Sequence, residues 1–329
     1  MTKGQNVSRF NWVGILLTTS VLHAGSAASA YPDKPVKVIL PYAAGGSGDI
    51  IFRSIQPGLE KRLGQSMVLD FRTGAGGQIG VREVVKSAPD GYTLLLGPTN
   101  NFVIDQFLYK DLGYDPQQAL APVTIIADTP YMLVVNDNLP ARTYAELAAY
   151  ARANRGKLNY ASPGPATVPH LSGFMLSEAM GAGMVHIAFR GNAPAVVALL
   201  ANEIQMIVHS FGSIAPLFKS GKLRALAVGA SERLRVMPGV PTSAEAGVPP
   251  GVIASNWWGL AAPRTTDRDI VGRLAREVRS VLSDPDIQRR YTEQGWISGG
   301  NSPAEVEERL RNETSAWKLI VERSGVKAD

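Results

Sequence analysis

Four small residues, Gly45-Gly46-Ser47-Gly48, stand between Tyr42-Ala43-Ala44 and Asp49. This composition suits one chemistry, the holding of an anion by backbone N–H groups. The residues before it, Val36-Lys37-Val38-Ile39-Leu40, are β-branched and apolar and predict a buried strand, which Pro41 ends. The residues after it place Ile50, Ile51, Ile55 and Leu59 at helical spacing, with a stop near Leu63-Gly64. A strand turning through glycines into a helix leaves amides unpaired at the positive end of the helix dipole. A carboxylate or phosphate fits there. The competing explanation is that the glycines only permit the turn. Asp49 would repel a bound anion, so its expected role is to accept hydrogen bonds from the backbone of the first helical turn.

Other chemistries find less support. Gly74-Ala75-Gly76-Gly77-Gln78-Ile79-Gly80 follows a predicted strand and opens a helix, yet it misses the dinucleotide pattern G-x-G-x-x-G at Ile79. A packed turn beside the cleft is expected there. The chain has no cysteine, and of its four histidines only His170, His186 and His209 lie beyond the first thirty residues, none in an H-x-x-x-H pair. No metal or other cofactor is therefore expected. There is no G-x-S-x-G elbow, so a triad would have to use Ser162 or Ser47 with His170 and an Asp; an exported hydrolase on Ser162 and His170 is one alternative, and a ligand sensor signalling to a membrane partner is the other. His186 sits in an apolar strand and reads as a core residue. His170 begins a helix, where it can cap or touch ligand. His209 ends a strand at the presumed cleft, which favours function. Arg190 and Trp257-Trp258 are further candidates for ligand or interdomain contact.

Strands alternate with helices along the chain, which predicts an α/β fold with parallel strands. One arrangement recurs near residues 42–49, 74–80, 162–170 and 189–193: a strand end, small or polar residues, then a helix start. Ligands of open α/β sheets bind at such strand ends, and two facing domains would form a cleft from these loops. Residues 121–126 and 131–135 read as two strands, and the chain after residue 267 as mainly helical. Residues 1–30 read as a cleavable signal peptide: Lys3 and Arg9, an apolar stretch over 12–22, then Ala28-Ser29-Ala30 before Tyr31. The remaining chain suffices for about two domains. A net charge of +5, partly from Lys3 and Arg9, gives no nucleic-acid footprint.

Several motifs, in unbroken order, resemble the Bug-type solute receptors, the periplasmic binding proteins of tripartite tricarboxylate transporters. They are Pro41-Tyr42-Ala43-Ala44-Gly45-Gly46 with Asp49, Gly74-Ala75-Gly76-Gly77 with Ile79-Gly80, and Ala88-Pro89-Asp90-Gly91-Tyr92-Thr93-Leu94-Leu95. Lys157-Leu158-Asn159-Tyr160-Ala161-Ser162, Gly221-Lys222-Leu223-Arg224-Ala225-Leu226-Ala227-Val228 and Pro241-Thr242 with Glu245-Ala246-Gly247 complete the set. The resemblance implies a two-domain periplasmic binding protein (type II, flytrap) with a ligand cleft between domains at 31–129 plus 253–329 and at 130–252. It implies a monomer without enzyme activity that takes a small carboxylate in the periplasm to membrane transporter subunits. Carried onto this chain, Tyr42, Ala44, Gly45, Gly46, Ser47 and Asp49 form the carboxylate loop. Ser162, Gly164, Thr167 and His170 face it, with Asn192 and Ala193 alongside. The chain departs from the family at Pro163, Pro165 and Pro169, which remove three amide donors, and at Phe174, Gln205 and His209, where acids are usual. His209 in place of an acid points to a dicarboxylate, because an imidazole can donate to a second carboxylate.

Overall fold

The computed structural model describes Met1, Thr2, Gly4 and residues 31–327; the expected signal peptide and its cleavage point lie otherwise outside the described residues. The chain separates into Met1–Tyr31 and Pro32–Asp329, and the strands and helices among the described residues belong to the second unit. The strands are β1 Val36–Leu40, β2 Met67–Phe71, β3 Thr93–Pro98, β4 Leu120–Asn136, β5 Asn159–Ser162, β6 Val185–Ala188, β7 Met206–Ser210, β8 Leu223–Val228, β9 Ser255–Pro263 and β10 Ile297–Ser298. The helices are α1 Ser47–Leu63, α2 Gln78–Lys86, α3 Asp105–Leu108, α4 Pro116–Ala119, α5 Tyr144–Ala153, α6 Val168–Met180, α7 Asn192–Leu200, α8 Ala215–Lys219, α9 Arg268–Leu282, α10 Pro285–Glu293 and α11 Pro303–Ser324.

The strands form one curled sheet in the order β2-β1-β3-β9-β4-β7-β5-β6, with β8 and β10 also on β4. The predicted strand–helix alternation yields parallel pairs at β1–β2, β1–β3, β5–β6 and β5–β7. The sheet as a whole is mixed, because β9 runs antiparallel to both β3 and β4. Residues 121–126 and 131–135, which read as two strands in sequence, belong to the single strand β4. Over Leu120–Asn136 it pairs with β9 as far as Pro130 and with β7 and β8 from Tyr131 onward. Pro130, which has no N–H, stands where the ladder changes partners, so its missing donor costs little there. Thr129 reinforces this crossing through a hydrogen bond from its hydroxyl to the Asn256 carbonyl.

Two residue sets bury the apolar faces at either end of β4. Ile39, Val81, Leu95, Phe102, Ile125 and Trp257 pack with Leu310 and Trp317 of α11. Leu133, Val135, Leu147, Tyr160, Leu176 and Val208 pack on the other side of the crossing. Helix α11 begins with a capping box, Ser302 accepting from the Glu305 amide while Glu305 accepts from the Ser302 amide. Midway along it Arg309 bridges Asp128 of β4 at 2.8 Å and Glu313 at 2.6 Å. Glu313 also accepts from the Trp257 indole at 2.9 Å. A helix remote in sequence is thereby fixed to two central strands.

Candidate functional site

The carboxyl ends of β1, β3 and β5 open on one cavity of about 680 Å³, within the range of small-molecule sites. Gly46, Ser47 and Gly48 form its wall at the start of α1. Gly45 takes a positive φ of 80°, which turns the chain between Ala44 and the helix. Asp49 acts locally, though on the turn before the helix rather than on the first helical turn, accepting from the Gly45 amide at 2.8 Å and from Arg53 Nε at 2.6 Å. The Gly46 amide leans on the Ala43 carbonyl at 3.4 Å. In the first helical turn the amides of Ser47, Gly48 and Asp49 have no acceptor among the described residues, and of these residues Ser47 and Gly48 line the cavity.

Trp258 of β9 closes this end of the cavity. Its ring lies so near Gly48 that a Cβ there would approach a ring carbon to 2.3 Å, and it meets Tyr42 edge-on at 5.9 Å between centroids. The indole Nε1 is buried and has no hydrogen-bond partner. The benzo edge of the indole is what faces Gly48, so the donors turned to the cavity here are the unpaired amides of the helix start, which a carboxylate completes. Tyr42 is held by a bond from its hydroxyl to the Gly76 carbonyl at 3.1 Å, and burial raises its pKa far above the phenolic range. It acts as a neutral donor and a packing surface. Ala75–Gly77, the expected packed turn, does border the cavity through Gly76.

The facing wall is the loop from Pro163 to Pro169. Thr167 caps α6, accepting from the His170 amide at 3.4 Å and donating to the Gly164 carbonyl at 2.8 Å. Ala166 takes a positive φ of 61°, a strained conformation for a residue with a Cβ. Its amide is held by His170 Nδ1 at 3.1 Å and its carbonyl by the Asn100 amide at 3.4 Å. His170 stacks on His186, with centroids 3.6 Å apart and planes 10° apart. His186 Nε2 is 2.8 Å from Ser162 Oγ. Ser162 thus pairs with His186 and not with His170. Ser162 Oγ is also 2.8 Å from the Gly164 carbonyl and accepts from the Gly164 amide at 3.2 Å, which ties the hydroxyl into its own turn. No Ser162–His170 dyad of the alternative hydrolase is present.

The placement of the expected site residues is uneven. Tyr42, Gly46, Ser47, Thr167 and Asn192 line the cavity. Ala44, Gly45, Asp49, Ser162, Gly164, His170 and Ala193 stand behind or beside these lining residues rather than among them. His209 is buried on β7, opposite Met132, with Nδ1 at 2.9 Å from the Ser210 carbonyl and Nε2 unpartnered. It is not among the lining residues, and burial lowers its pKa, favouring the neutral ring. Sequence reasoning misses Asn100, Asp105, Asn256 and Lys327, all of which line the cavity. A signal exists for the first: polar Thr99-Asn100-Asn101 follows the carboxyl end of β3, the same arrangement as at the four other strand ends. A π-helical turn over Asn100–Ile104 carries the chain from there into α3.

A second cavity of about 630 Å³ lies between α6 and α11, walled largely by Phe174, Met175, Val252, Trp317 and Ile320. No strand opens its carboxyl end on it, and its charged residues are engaged, Glu313 with Arg309 and Glu178 with Arg323. The strand-end cavity is therefore the candidate site.

The buried histidines predict how stability responds to pH. Burial lowers His170 and His186 each to about 4, and for His170 the neighbouring His186 adds to the effect. Unfolded histidines bind protons from about 6.5 downward. The stability these rings contribute is full above that value and is lost as pH falls toward 4. Asp105 opposes them: burial raises it to about 6 from 3.8, so its contribution is full below 3.8 and is lost as pH rises through 6. Two histidines outweigh one acid. The thermal midpoint should fall between pH 7 and pH 5, and more steeply in Asp105→Asn. A midpoint that stays level or rises on acidification in the wild type contradicts the stacked pair as described.

Known proteins share this architecture. The profile of the tripartite tricarboxylate transporter family receptor (TctC) matches residues 51–326. The periplasmic binding protein BugD is 31% identical, with a TM-score of 0.74 over 90% of this chain and 99% of that one. A Rhodopseudomonas palustris protein solved with adipate is 30% identical, with a TM-score of 0.78 over 90% and 99%. MatC of the same organism, solved with bound malate, is 30% identical, with a TM-score of 0.74 over 88% and 100%. The fold is accordingly the mixed α/β fold of the two-domain periplasmic binding proteins. Among the described residues no helix is long and apolar enough to cross a membrane. The cleft with its unpaired amides thus sits in a chain that belongs to the tripartite tricarboxylate transporter receptor family.

Proposed function

We propose that this receptor captures a small carboxylate in the periplasm and delivers it to the membrane subunits of a tripartite tricarboxylate-type transporter. The observation that carries the reading is the pair of unpaired amides of Ser47 and Gly48 on the cavity wall, with the Trp258 ring packed against Gly48. Together they supply oriented donors without a cation, so binding needs no proton transfer and no covalent step. A dicarboxylate is the favoured ligand. Similar proteins were solved with adipate and malate, and Lys327 brings a cation to the cavity wall for a second acid group. His209 plays no part in this choice.

The chain works as an exported monomer, freed of residues 1–30, and closes over its ligand as two bodies, 31–129 plus 253–329 and 130–252. The change of partners along β4 between Pro130 and Tyr131 supports a hinge there. Closure would shed bulk water and strengthen the donor bonds. A thermal-shift and calorimetric panel of succinate, malate and adipate tests the reading. At least one acid should raise the midpoint saturably and give a stoichiometric heat, with the acid recovered unchanged. A folded protein that binds none of them, or that converts one to product, overturns it.

A further inference from the structure

Donors gather at the start of α1, but one wall of the same cavity offers the opposite polarity. Asp105 opens α3 and lines the cavity, yet it is only 2% exposed. Its carboxylate receives the Asn101 amide at 3.0 Å, and the Asn100 side chain also faces it. It makes no ion pair among the described residues, and the other groups around it, Tyr42, Tyr109 and Tyr114, are phenols rather than cations. Asn256, on the cavity wall, keeps a buried Oδ1 without a partner among the described residues. A pocket meant only for a plain acid would gain nothing from a buried carboxylate and an unpaired carbonyl oxygen, since each repels the ligand's charge.

The two polarities are also close in the fold. The amide loop follows β1, Asp105 follows β3 by way of the π-helical turn, and these strands are hydrogen-bonded neighbours. A ligand seated on the amides of α1 therefore extends past the adjacent strand end, where acceptors await it. We propose that Asp105 is an acceptor subsite, and that the acid this receptor takes carries a hydroxyl or an ammonium group directed at it. The inference rests on the receptor reading above and names its ligand class more narrowly.

Sites that bury a hydrogen-bonding group reject analogues lacking its partner far more strongly than they reject a change of size. The test is calorimetry on the processed protein with succinate, malate and aspartate, acids of equal chain length. Malate or aspartate should bind about tenfold or more tightly than succinate. Asp105→Asn should bring that ratio toward one by weakening the substituted acid and not succinate. A preference for malate assigns a hydroxyl, and a preference for aspartate an ammonium. Succinate binding as tightly as both in the wild type overturns the subsite while leaving the receptor reading in place. A preference unchanged in Asp105→Asn overturns it as well. Binding of no acid at all, adipate included, instead refutes the receptor reading. Should Asp105→Asn fail to fold, Asp105→Glu keeps the charge and displaces it, and an unaltered ratio there overturns the proposal.

Discussion

Gly48→Ala should abolish carboxylate binding in a chain that still folds. The added methyl would lie 2.3 Å from one carbon of the Trp258 ring and 2.8 Å from two others. A six-membered ring edge held by Tyr42 and the strand backbone of β9 cannot yield without moving as a whole. The helix itself gains, since alanine is favoured over glycine in a helix by about 0.5–1 kcal/mol. The loss falls instead on the donor set. Displacing Trp258 pushes its ring toward the space a carboxylate needs and shifts the helical turn that carries the Ser47 and Gly48 amides. Losing or lengthening two charge-assisted bonds corresponds to about 3–4 kcal/mol, a fall in affinity of several hundredfold. Calorimetry beside circular dichroism decides this. Unchanged affinity in a folded Gly48→Ala protein would place the ligand elsewhere.

Arg309→Ala should cost more stability than any substitution at the cavity. Its guanidinium serves Asp128 and Glu313 at 2.8 and 2.6 Å and lies 5.6 Å from the centre of the Trp257 ring. The three side chains are 31%, 18% and 24% exposed, so solvent recovers part of the loss. Removing a fully buried partner costs about 3–5 kcal/mol; with this exposure about 2–4 kcal/mol is expected. For a chain of this size that lowers the melting midpoint by about 5–10 °C. Asp128 Oδ1 is already buried without a partner, which sharpens the penalty of leaving the rest of its carboxylate unpaired. A shift below about 1 kcal/mol in urea titration would mean the triad behaves as an exposed surface pair. Carboxylate affinity extrapolated to native conditions should change little, which separates this variant from Gly48→Ala.

The range of each interaction decides whether the sequence discloses it. The strand, the glycine turn and the helix of residues 36–63 are local, and the order of small residues before Asp49 announces both the turn and its cap. The Asp49–Gly45 bond spans only four residues. Trp258 reaches Gly48 only because β9 turns back antiparallel between β3 and β4, which no local periodicity encodes. His170 and His186 each look like an isolated histidine in sequence, since their stacking depends on β6 lying beside β5 at the foot of α6. β4 reads as two strands because Pro130 is a breaker by type, although at a change of partners it interrupts nothing. Asp105 is hidden because a π-helical turn has no signature of apolar spacing. His209, prominent for its residue type, is turned into the body of the fold by its place on β7.

Backbone amide shifts of isotopically labelled protein, followed during a titration with malate, report most directly where a carboxylate touches the chain. The Ser47 and Gly48 amides should move together and saturate at one equivalent, with the largest downfield changes in the spectrum. Saturable binding that leaves these two resonances in place would contradict the site.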